Sequence, residues 1–229
     1  MARQVRDWDV TALSAVLFDM DGLLVDTEPT WTVAERELAV ELGGVWTDEV
    51  KAAIVGTRVE TAVPLMLAAF GHAPTPELVD RTVQWLLDRM VTLYGGPLTP
   101  LPGALELLAA LRAAGVPVAL VSSSYRVLVD AVVERLGLAF DLVIAGDEVA
   151  HAKPHPEPYL TACTRLDAPA AGAVVLEDSP AGIASGEAAG CAVVAVPSVA
   201  AVHPEAGPRR LVLASLAELD VVGLRALVA

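Results

Sequence analysis

The sequence predicts an α/β protein whose core is a Rossmann-like parallel sheet with helices on both faces, interrupted by a small inserted helical bundle. Short apolar segments without polar alternation, such as residues 15–18, are typical of strands buried on both faces of a sheet. After residue 100 such segments alternate with helical segments of about ten residues, which is the pattern of parallel βαβ units. Residues 30–94 show helical periodicity only, and this indicates an insert after the first strand.

Apolar spacing and the glycines that end helices predict the elements in chain order. The first strand is expected at residues 15–20, followed in the insert by helices at 30–43, 47–55, 56–70 and 75–94. The later strands are expected at 116–121, 142–145, 173–176, 192–196 and 210–214, and the later helices at 103–114, 126–136, 157–166 and 180–189. Residues 197–208 are expected to form a surface loop. We therefore predict a discontinuous core, residues 1–27 and 97–229, and a helical domain, residues 28–96.

The composition limits the classes of partner. A net charge of -14 disfavours nucleic acid, because its phosphates require a basic surface. A small phosphorylated ligand remains compatible with this charge, because a local basic or metal-filled site is sufficient. The mean hydropathy of +0.56 raises the question of a membrane, but no uncharged apolar run approaches the roughly 20 residues of a spanning helix.

The cytoplasm is the expected compartment. The first residues lack the basic, apolar and small-residue pattern of a secretion signal. The two cysteines, Cys163 and Cys191, form no zinc-binding pattern and are expected as reduced, buried thiols. We further expect a monomer or a weak dimer.

Polar side chains stand at the carboxyl ends of the predicted strands, where ligands bind in open parallel sheets. Asp19 and Asp21 follow the first strand, and two acids at the end of a buried strand require a compensating cation or basic group. The residues after the next strands are Ser122, Ser123, Ser124, Asp147, Glu148, Lys153, Glu177 and Asp178.

Each of these residues has a simpler explanation when it is taken alone. The serines suit helix N-caps, Lys153 suits a solvated loop, and the last acidic pair suits the first turn of a helix. Together, however, carboxylates at neighbouring strand ends would raise one another's pKa values, and Mg²⁺ would relieve this repulsion. A lysine and a serine hydroxyl nearby would bind a phosphate group. The set therefore indicates phosphoryl transfer, with Asp19 as nucleophile and Asp21 as proton donor and acceptor.

Four segments resemble, in order and spacing, the motifs of the haloacid dehalogenase superfamily of phosphohydrolases. They are DxDGxxxDT at residues 19–27, Ser122 at a strand end, Lys153 before a proline in KPHPEPYL, and an acidic pair at 177–178 followed by SxxGI. The set spans nearly the whole chain. The sequence is thus identified as a member of this superfamily, in the branch with a small helical cap of the C1 type.

The resemblance implies a role for each matching position. Asp19 would form an aspartyl-phosphate and also bind the metal, Mg²⁺. Asp21 would act as general acid and base, with its backbone carbonyl on the metal. The implied phosphate-binding residues are Ser122, Ser123 and Lys153, and the further metal ligands are Glu177 and Asp178.

Residues 28–96 would form the mobile cap, which closes over the substrate and excludes water. Its candidate specificity residues are Arg58, Arg36 and His72. Arg58 is the strongest of the three, because it follows Gly56-Thr57 at a helix start where family members often place substrate contacts. A solvated helix face or loop is the simpler explanation for each of the three, and least so for Arg58.

The leading functional interpretation is a Mg²⁺-dependent phosphatase of a small phosphorylated metabolite, with sugar phosphates as first candidates. The alternative is a phosphomutase of the β-phosphoglucomutase type, whose members carry a histidine ten residues after the second aspartate, where Trp31 stands here. A third interpretation is a receiver-like module phosphorylated on Asp19 without turnover, against which the insert and Asp21 both argue. A dehalogenase is the weakest alternative, because it needs neither Asp21 nor the metal-binding acids.

Overall fold

The computed structural model describes residues 13–54, 57–198 and 204–229. The strands in these residues are β1 (Ala15–Phe18), β2 (Val25–Asp26), β3 (Thr99–Pro100), β4 (Val118–Val121), β5 (Leu142–Ile144), β6 (Ala173–Glu177), β7 (Ala192–Ala195) and β8 (Arg210–Val212). The helices are α1 (Glu28–Glu41), α2 (Asp48–Ile54), α3 (Val59–Ala69), α4 (Pro76–Tyr94), α5 (Ala104–Ala113), α6 (Arg126–Leu136), α7 (Glu157–Arg165), α8 (Pro180–Ala188) and α9 (Val221–Ala226). Parts of several predicted features lie outside the described residues: residues 1–12 of the core, residue 55 at the end of one predicted helix, residue 56 at the start of the next, and residues 199–203 of the surface loop.

Six strands form one parallel sheet in the order β5-β4-β1-β6-β7-β8. The first strand of the chain lies inside the sheet, with Val16 opposite Val118 of β4 and Ala15 opposite Ala173 of β6. The predicted class, an α/β fold with a Rossmann-like parallel sheet, is confirmed. The short strands β2 and β3 form a separate two-stranded sheet that the apolar pattern did not predict.

The core strands are apolar along their whole length because both of their faces are covered. Every residue of β1 and β4 is buried. Successive side chains of a strand point to opposite faces. On one face Leu17 packs in a cluster with Tyr159 of α7 and Ile183 of α8. On the other face the ring of Phe18 meets Phe140 edge-on, with 5.9 Å between ring centroids.

The strand β4 begins at Val118, two residues later than expected, because the end of α5 uses the preceding residues. Gly115 adopts a φ of 69° in the left-handed region, and its N–H donates to the carbonyl of Arg112. The N–H of Val116 donates to the carbonyl of Leu111 at 3.0 Å. This is the Schellman arrangement, so Val116 terminates the helix instead of starting the strand.

The chain divides into two compact units. Within the described residues, one contains the sheet and consists of residues 13–26, 100–126 and the part from residue 139 onward, whereas the other consists of residues 27–99 and 127–138. The second unit therefore includes most of α6 in addition to the four helices of the insert. The boundaries 1–27, 97–229 and 28–96 stay a prediction.

The helical unit has an apolar core of its own, built around Leu38, Met66 and Leu86 from three of its helices. The helices α1 and α4 are also joined by a two-pronged ion pair between Glu37 and Arg89. Among the described residues, no helix combines the length and the apolar character that a membrane span requires.

Candidate active site

Three neighbouring strands, β4, β1 and β6, bring the predicted site residues to one edge of the sheet. The residues just beyond β1 and β4 continue the strand ladder: Asp19 N–H donates to the carbonyl of Leu176, and Ser122 N–H donates to that of Ile144, both at 3.0 Å. Glu177 is the last residue of β6. The backbone of the sheet thus fixes where these side chains begin.

Lys153 is the cation that the acidic strand ends require. Its side chain is only 4% exposed, and its ammonium group donates to Asp19 Oδ1 at 2.6 Å, to Glu177 Oε1 at 2.7 Å and to the carbonyl of Val121 at 2.8 Å. The ammonium also lies 4.9 Å from the ring centroid of Tyr159. All three N–H donors of this lysine are therefore used inside the site.

Glu177 is held by five donors. Oε1 accepts from Lys153 and from the hydroxyl of Tyr159 at 2.9 Å. Oε2 accepts from the N–H groups of Asp178 and Ser179 and from the Ser179 hydroxyl, all at 3.0 to 3.1 Å. A carboxylate has about four lone-pair sites, so protein donors occupy the acceptor capacity of Glu177. The close packing also explains Gly182, because a Cβ there would lie 1.6 Å from Glu177 Oε1.

Asp178 lies between a hydroxyl and a glycine. Its Oδ2 accepts from the hydroxyl of Ser198 at 2.5 Å. Gly22, at the end of the first motif, has a φ of 80°, and a Cβ there would lie 2.2 Å from the same oxygen. Glycine is required at this position both for its backbone conformation and for the close approach of the carboxylate.

Asp21 faces the loop after β4. Its Oδ2 accepts from the hydroxyl of Ser124 at 2.8 Å and from that of Ser122 at 3.4 Å, and the Ser124 N–H donates to Ser122 Oγ. Ser123, a predicted phosphate-binding residue, is exposed. The structure therefore brings Ser122 and Ser124 to Asp21, and it places Ser123 at the surface.

Comparison with known proteins shows the family to which the chain belongs. The model of the haloacid dehalogenase-like hydrolases matches residues 13–190. The chain belongs to this family. The predicted membership is confirmed, and the haloacid dehalogenase-like core is the unit that holds the acidic strand ends.

Several known proteins resemble the chain over most of its length. Hexitol phosphatase A of Escherichia coli K12 is 34% identical, and the match covers 90% of this chain and 92% of that protein. Phosphorylated carbohydrates phosphatase of Thermotoga maritima is 31% identical, over 78% of this chain and 82% of that protein. The crystal structure of CbbY from Rhodobacter sphaeroides in complex with phosphate is 32% identical, with a TM-score of 0.82 over 93% of this chain and 99% of CbbY.

The carboxylates of this haloacid dehalogenase-like site fit a divalent cation. Asp19, Glu177 and Asp178 each offer an oxygen, and these oxygens lie within 4.8 Å of one another. Burial raises the pKa of Asp19 well above its ordinary value, and the charge of Glu177 adds to this although Lys153 opposes it. Oxygen-only ligand sets suit Mg²⁺. Because the acceptor capacity of Glu177 is occupied, Asp19 and Asp178 are the side chains better placed to hold the ion.

Lys153 keeps its charge in this site. Burial alone would lower the pKa of its ammonium group, but the charges of Asp19 and Glu177 outweigh burial and raise the pKa above its ordinary value. Burial, followed by the charge of Glu177, also raises the pKa of Tyr159 well above its usual range, so that its hydroxyl remains a donor to Glu177.

Magnesium is expected to stabilise the fold more at neutral than at acidic pH. Burial, and then the charge of Glu177, raises the pKa of Asp178 to about 7. An acid with a raised folded-state pKa stabilises the fold below its ordinary pKa, and this contribution is lost as the pH rises through the folded value. The thermal midpoint in EDTA should therefore fall between about pH 5 and about pH 8, and Mg²⁺ should raise it most at the higher pH.

The matched variant for this experiment is Asp178→Asn, which removes the titrating group and one candidate ligand. In this variant the thermal midpoint in EDTA should change less between about pH 5 and about pH 8. Added Mg²⁺ should also raise the midpoint less than in the unmodified protein. An equal rise of the midpoint at both pH values in the unmodified protein would contradict the assignment of Asp178.

The candidate specificity residues all lie in the helical unit. Arg58 precedes α3 and forms an ion pair with Glu60 at 3.3 Å. The Nε2 atom of His72 lies 2.7 Å from the carbonyl oxygen of Leu42, so this histidine joins the ends of two helices. Trp31 packs against the apolar core of the same unit. Arg36 is exposed on α1, and its specificity role stays a prediction.

The sequence pattern did not select three residues of the site. The pattern places Ser124 at a strand end but indicates Ser123 as the phosphate-binding residue, and it places Tyr159 only in a helix. The pattern places Ser198 in the surface loop, although this residue follows β7, where ligands are also expected to bind. That expectation was the available signal for Ser198, whereas the hydrogen bond from Tyr159 to Glu177 had no signal in the sequence.

Proposed function

We propose that the chain is a Mg²⁺-dependent phosphatase that hydrolyses a small phosphorylated metabolite through an aspartyl-phosphate on Asp19. The class, a phosphoric monoester hydrolase, is supported by the family and by the named phosphatases among its relatives. Because two of those relatives are named for hexitols and phosphorylated carbohydrates, phosphorylated sugars and sugar alcohols are the proposed substrate class. The single observation that carries the proposal is the buried ammonium of Lys153 against Asp19.

The proposed chemistry follows from the two carboxylates at the end of β1. Lys153 holds Oδ1 of Asp19, so Oδ2 is the oxygen that would attack phosphorus. The bond from phosphorus to the ester oxygen breaks, and Asp21 donates a proton to that leaving oxygen. Asp21 then takes a proton from a water molecule that attacks the phosphorus of the aspartyl-phosphate. Inorganic phosphate leaves, and the carboxylate of Asp19 is regenerated.

The remaining residues would hold the phosphoryl group. When the substrate binds, Lys153 would redirect one of its three N–H donors, and Ser122 its hydroxyl, to the phosphoryl oxygens. Asp19 and Asp178 would hold Mg²⁺, with the backbone carbonyl of Asp21 as a further ligand, and the ion would supply charge neutralisation for the phosphoryl oxygens.

The direct experiment measures release of inorganic phosphate from p-nitrophenyl phosphate and from a panel of hexose, hexitol and pentose phosphates. We expect turnover with Mg²⁺, none in EDTA, and recovery when Mg²⁺ is added back. Turnover that is equally fast in EDTA would contradict the Mg²⁺-dependent mechanism.

The same assay separates the alternatives. A phosphomutase would convert a hexose 1-phosphate to the 6-phosphate without net phosphate release. A phospho-acceptor module would retain a stable phosphoryl group after exposure to a small phosphodonor and would not turn over. Trp31, at the position where the mutases carry histidine, packs in the helical core and favours the phosphatase.

We also propose that residues 28–96 act as the cap and that Arg58 contacts the substrate. Arg58→Ala should then raise KM for sugar phosphates with little change in kcat, because a distant charge contributes to substrate and transition-state binding alike. Arg81→Ala, at an exposed position of α4, is the matched control and should leave both constants unchanged. Equal KM values for Arg58→Ala and Arg81→Ala would contradict the proposal that Arg58 contacts the substrate.

A further inference from the structure

A second cluster of metal-ligating side chains lies on the loop that leads into α7. His151, His155 and Glu157 each offer one ligand atom, and these atoms lie within 4.8 Å of one another. Both imidazoles are exposed, and Glu157 is half-buried. None of the three takes part in the phosphatase chemistry described above.

The carboxylate of this cluster is already oriented by the backbone. Glu157 Oε1 accepts from the N–H of Ala150 at 2.7 Å, and Oε2 accepts from the N–H of His151 at 3.0 Å. The first residue of α7 therefore folds back onto the loop before it. Its carboxylate is fixed in position before any ligand binds.

Both imidazoles converge on one oxygen of that carboxylate. His151 Nδ1 lies 2.7 Å from Glu157 Oε2, and His155 Nδ1 lies 4.0 Å from the same atom. The two rings are neighbours, with centroids 4.5 Å apart. Ligands about 2.0–2.1 Å from a tetrahedral ion lie roughly 3.3 Å from one another. The observed distances to Glu157 Oε2, 2.7 Å and 4.0 Å, lie on either side of this spacing. Because both histidine side chains are exposed, they can move to the spacing that the ion requires.

We propose that His151, His155 and Glu157 form a surface site for a transition metal of the Zn²⁺ type, separate from the carboxylate site at Asp19. Two imidazoles and one carboxylate suit Zn²⁺ and its neighbours, whereas Mg²⁺ prefers oxygen ligands alone. Three protein ligands leave a fourth position for water. Binding would replace the contact between His151 and Glu157 and the donation of the Glu157 N–H to His155 Nδ1, which is 3.2 Å long.

The proposed metal site and the proposed phosphatase site share one backbone segment. Lys153 lies between the two histidines in sequence, and its side chain enters the core while theirs remain exposed. A metal bound by residues 151, 155 and 157 would tie together the two ends of the short backbone segment that contains Lys153. Metal binding by His151, His155 and Glu157 does not depend on the proposed phosphatase activity.

The test is a calorimetric titration with ZnCl₂ in the presence of saturating Mg²⁺, which occupies the carboxylate site. Unmodified protein should bind one equivalent of Zn²⁺. The double variant His151→Ala/His155→Ala should weaken this binding by at least the roughly 10- to 100-fold that loss of a single supporting group costs at metal sites. The double variant Asp19→Asn/Asp178→Asn, with the carboxylate site disabled, should retain it.

A second measurement uses Co²⁺, whose visible absorption reports imidazole and carboxylate coordination. The spectrum should appear with the unmodified protein and be absent with the double histidine variant, which should fold normally because both side chains are exposed. No Zn²⁺ binding in saturating Mg²⁺, or binding that the histidine variant retains, would overturn the proposal. Binding lost only in the aspartate variant would also overturn it and would assign the ion to the carboxylate site.

Discussion

Asp19→Asn is expected to abolish phosphate release, with kcat lowered by about 10⁴-fold or more, as is typical when a catalytic nucleophile is removed. The amide is nearly the same size as the carboxylate, but it cannot form an aspartyl-phosphate. Lys153 would still donate to Glu177 and to the carbonyl of Val121, so the site keeps its framework. The measurement is the steady-state rate of phosphate release at saturating substrate and Mg²⁺.

The stability of this variant supplies an internal control. Burial disfavours the charged form of Asp19, and so do the charges of Glu177 and Asp178. The neutral amide avoids this cost, and Lys153 keeps Glu177 as its counter-charge, so urea unfolding in EDTA should show no large loss of stability. Asp26→Asn, which changes an exposed aspartate of the same motif, should leave kcat near that of the unmodified protein. A fast Asp19→Asn enzyme would exclude Asp19 as the nucleophile.

Lys153→Met is expected to remove both activity and a large part of the stability. Removing one partner of a buried ion pair costs about 3–5 kcal/mol, because the remaining charge is left buried without compensation. Here Asp19 and Glu177 both lose the ammonium, which is nearly inaccessible to solvent. Methionine keeps most of the volume of the side chain, so that the change in the free energy of unfolding reports mainly the charge. The measurement is urea unfolding followed by circular dichroism.

The second lysine of the chain provides a matched comparison. Lys51 also pairs with two glutamates, Glu28 and Glu35, but its side chain is 22% exposed. Lys51→Met should cost about 1 kcal/mol or less. The double variant Lys153→Met/Glu177→Gln should recover part of the stability lost in Lys153→Met, because the two changes share one interaction. Equal losses of unfolding free energy in Lys153→Met and Lys51→Met would contradict the view that burial makes Lys153 the more important of the two for stability.

The sequence allowed the fold class and the main site residues to be predicted because their signals are local. A buried parallel strand is apolar along its length, so residues 15–18 and 173–176 were recognisable without knowledge of their partners. The rule that ligands bind at the carboxyl ends of such strands then selected Asp19, Ser122 and Asp178. Lys153 was recognised from its motif, although the direction of its side chain was not visible.

The contacts that the sequence could not predict depend on side-chain direction across long separations. Choosing among three adjacent serines requires the path of the loop after β4, and here Ser124 reaches Asp21. The full occupation of Glu177 Oε1 depends on Tyr159, a residue of α7 that lies 18 positions before it in the chain. Very short elements such as β2 and β3 have too few residues for a periodic pattern, and they were missed for that reason.

The position of β1 inside the sheet has a consequence for how the chain folds. The strand is made first, but its neighbours are the segments that begin at Val118 and Ala173, the nearer of which follows by roughly 100 residues. Contacts of such high sequence separation require long loops to close before they contribute any stability, so the protein is expected to fold slowly for its size. During synthesis Asp19, at the end of β1, must remain without Lys153, Glu177 and Asp178 until the chain has been made as far as those residues.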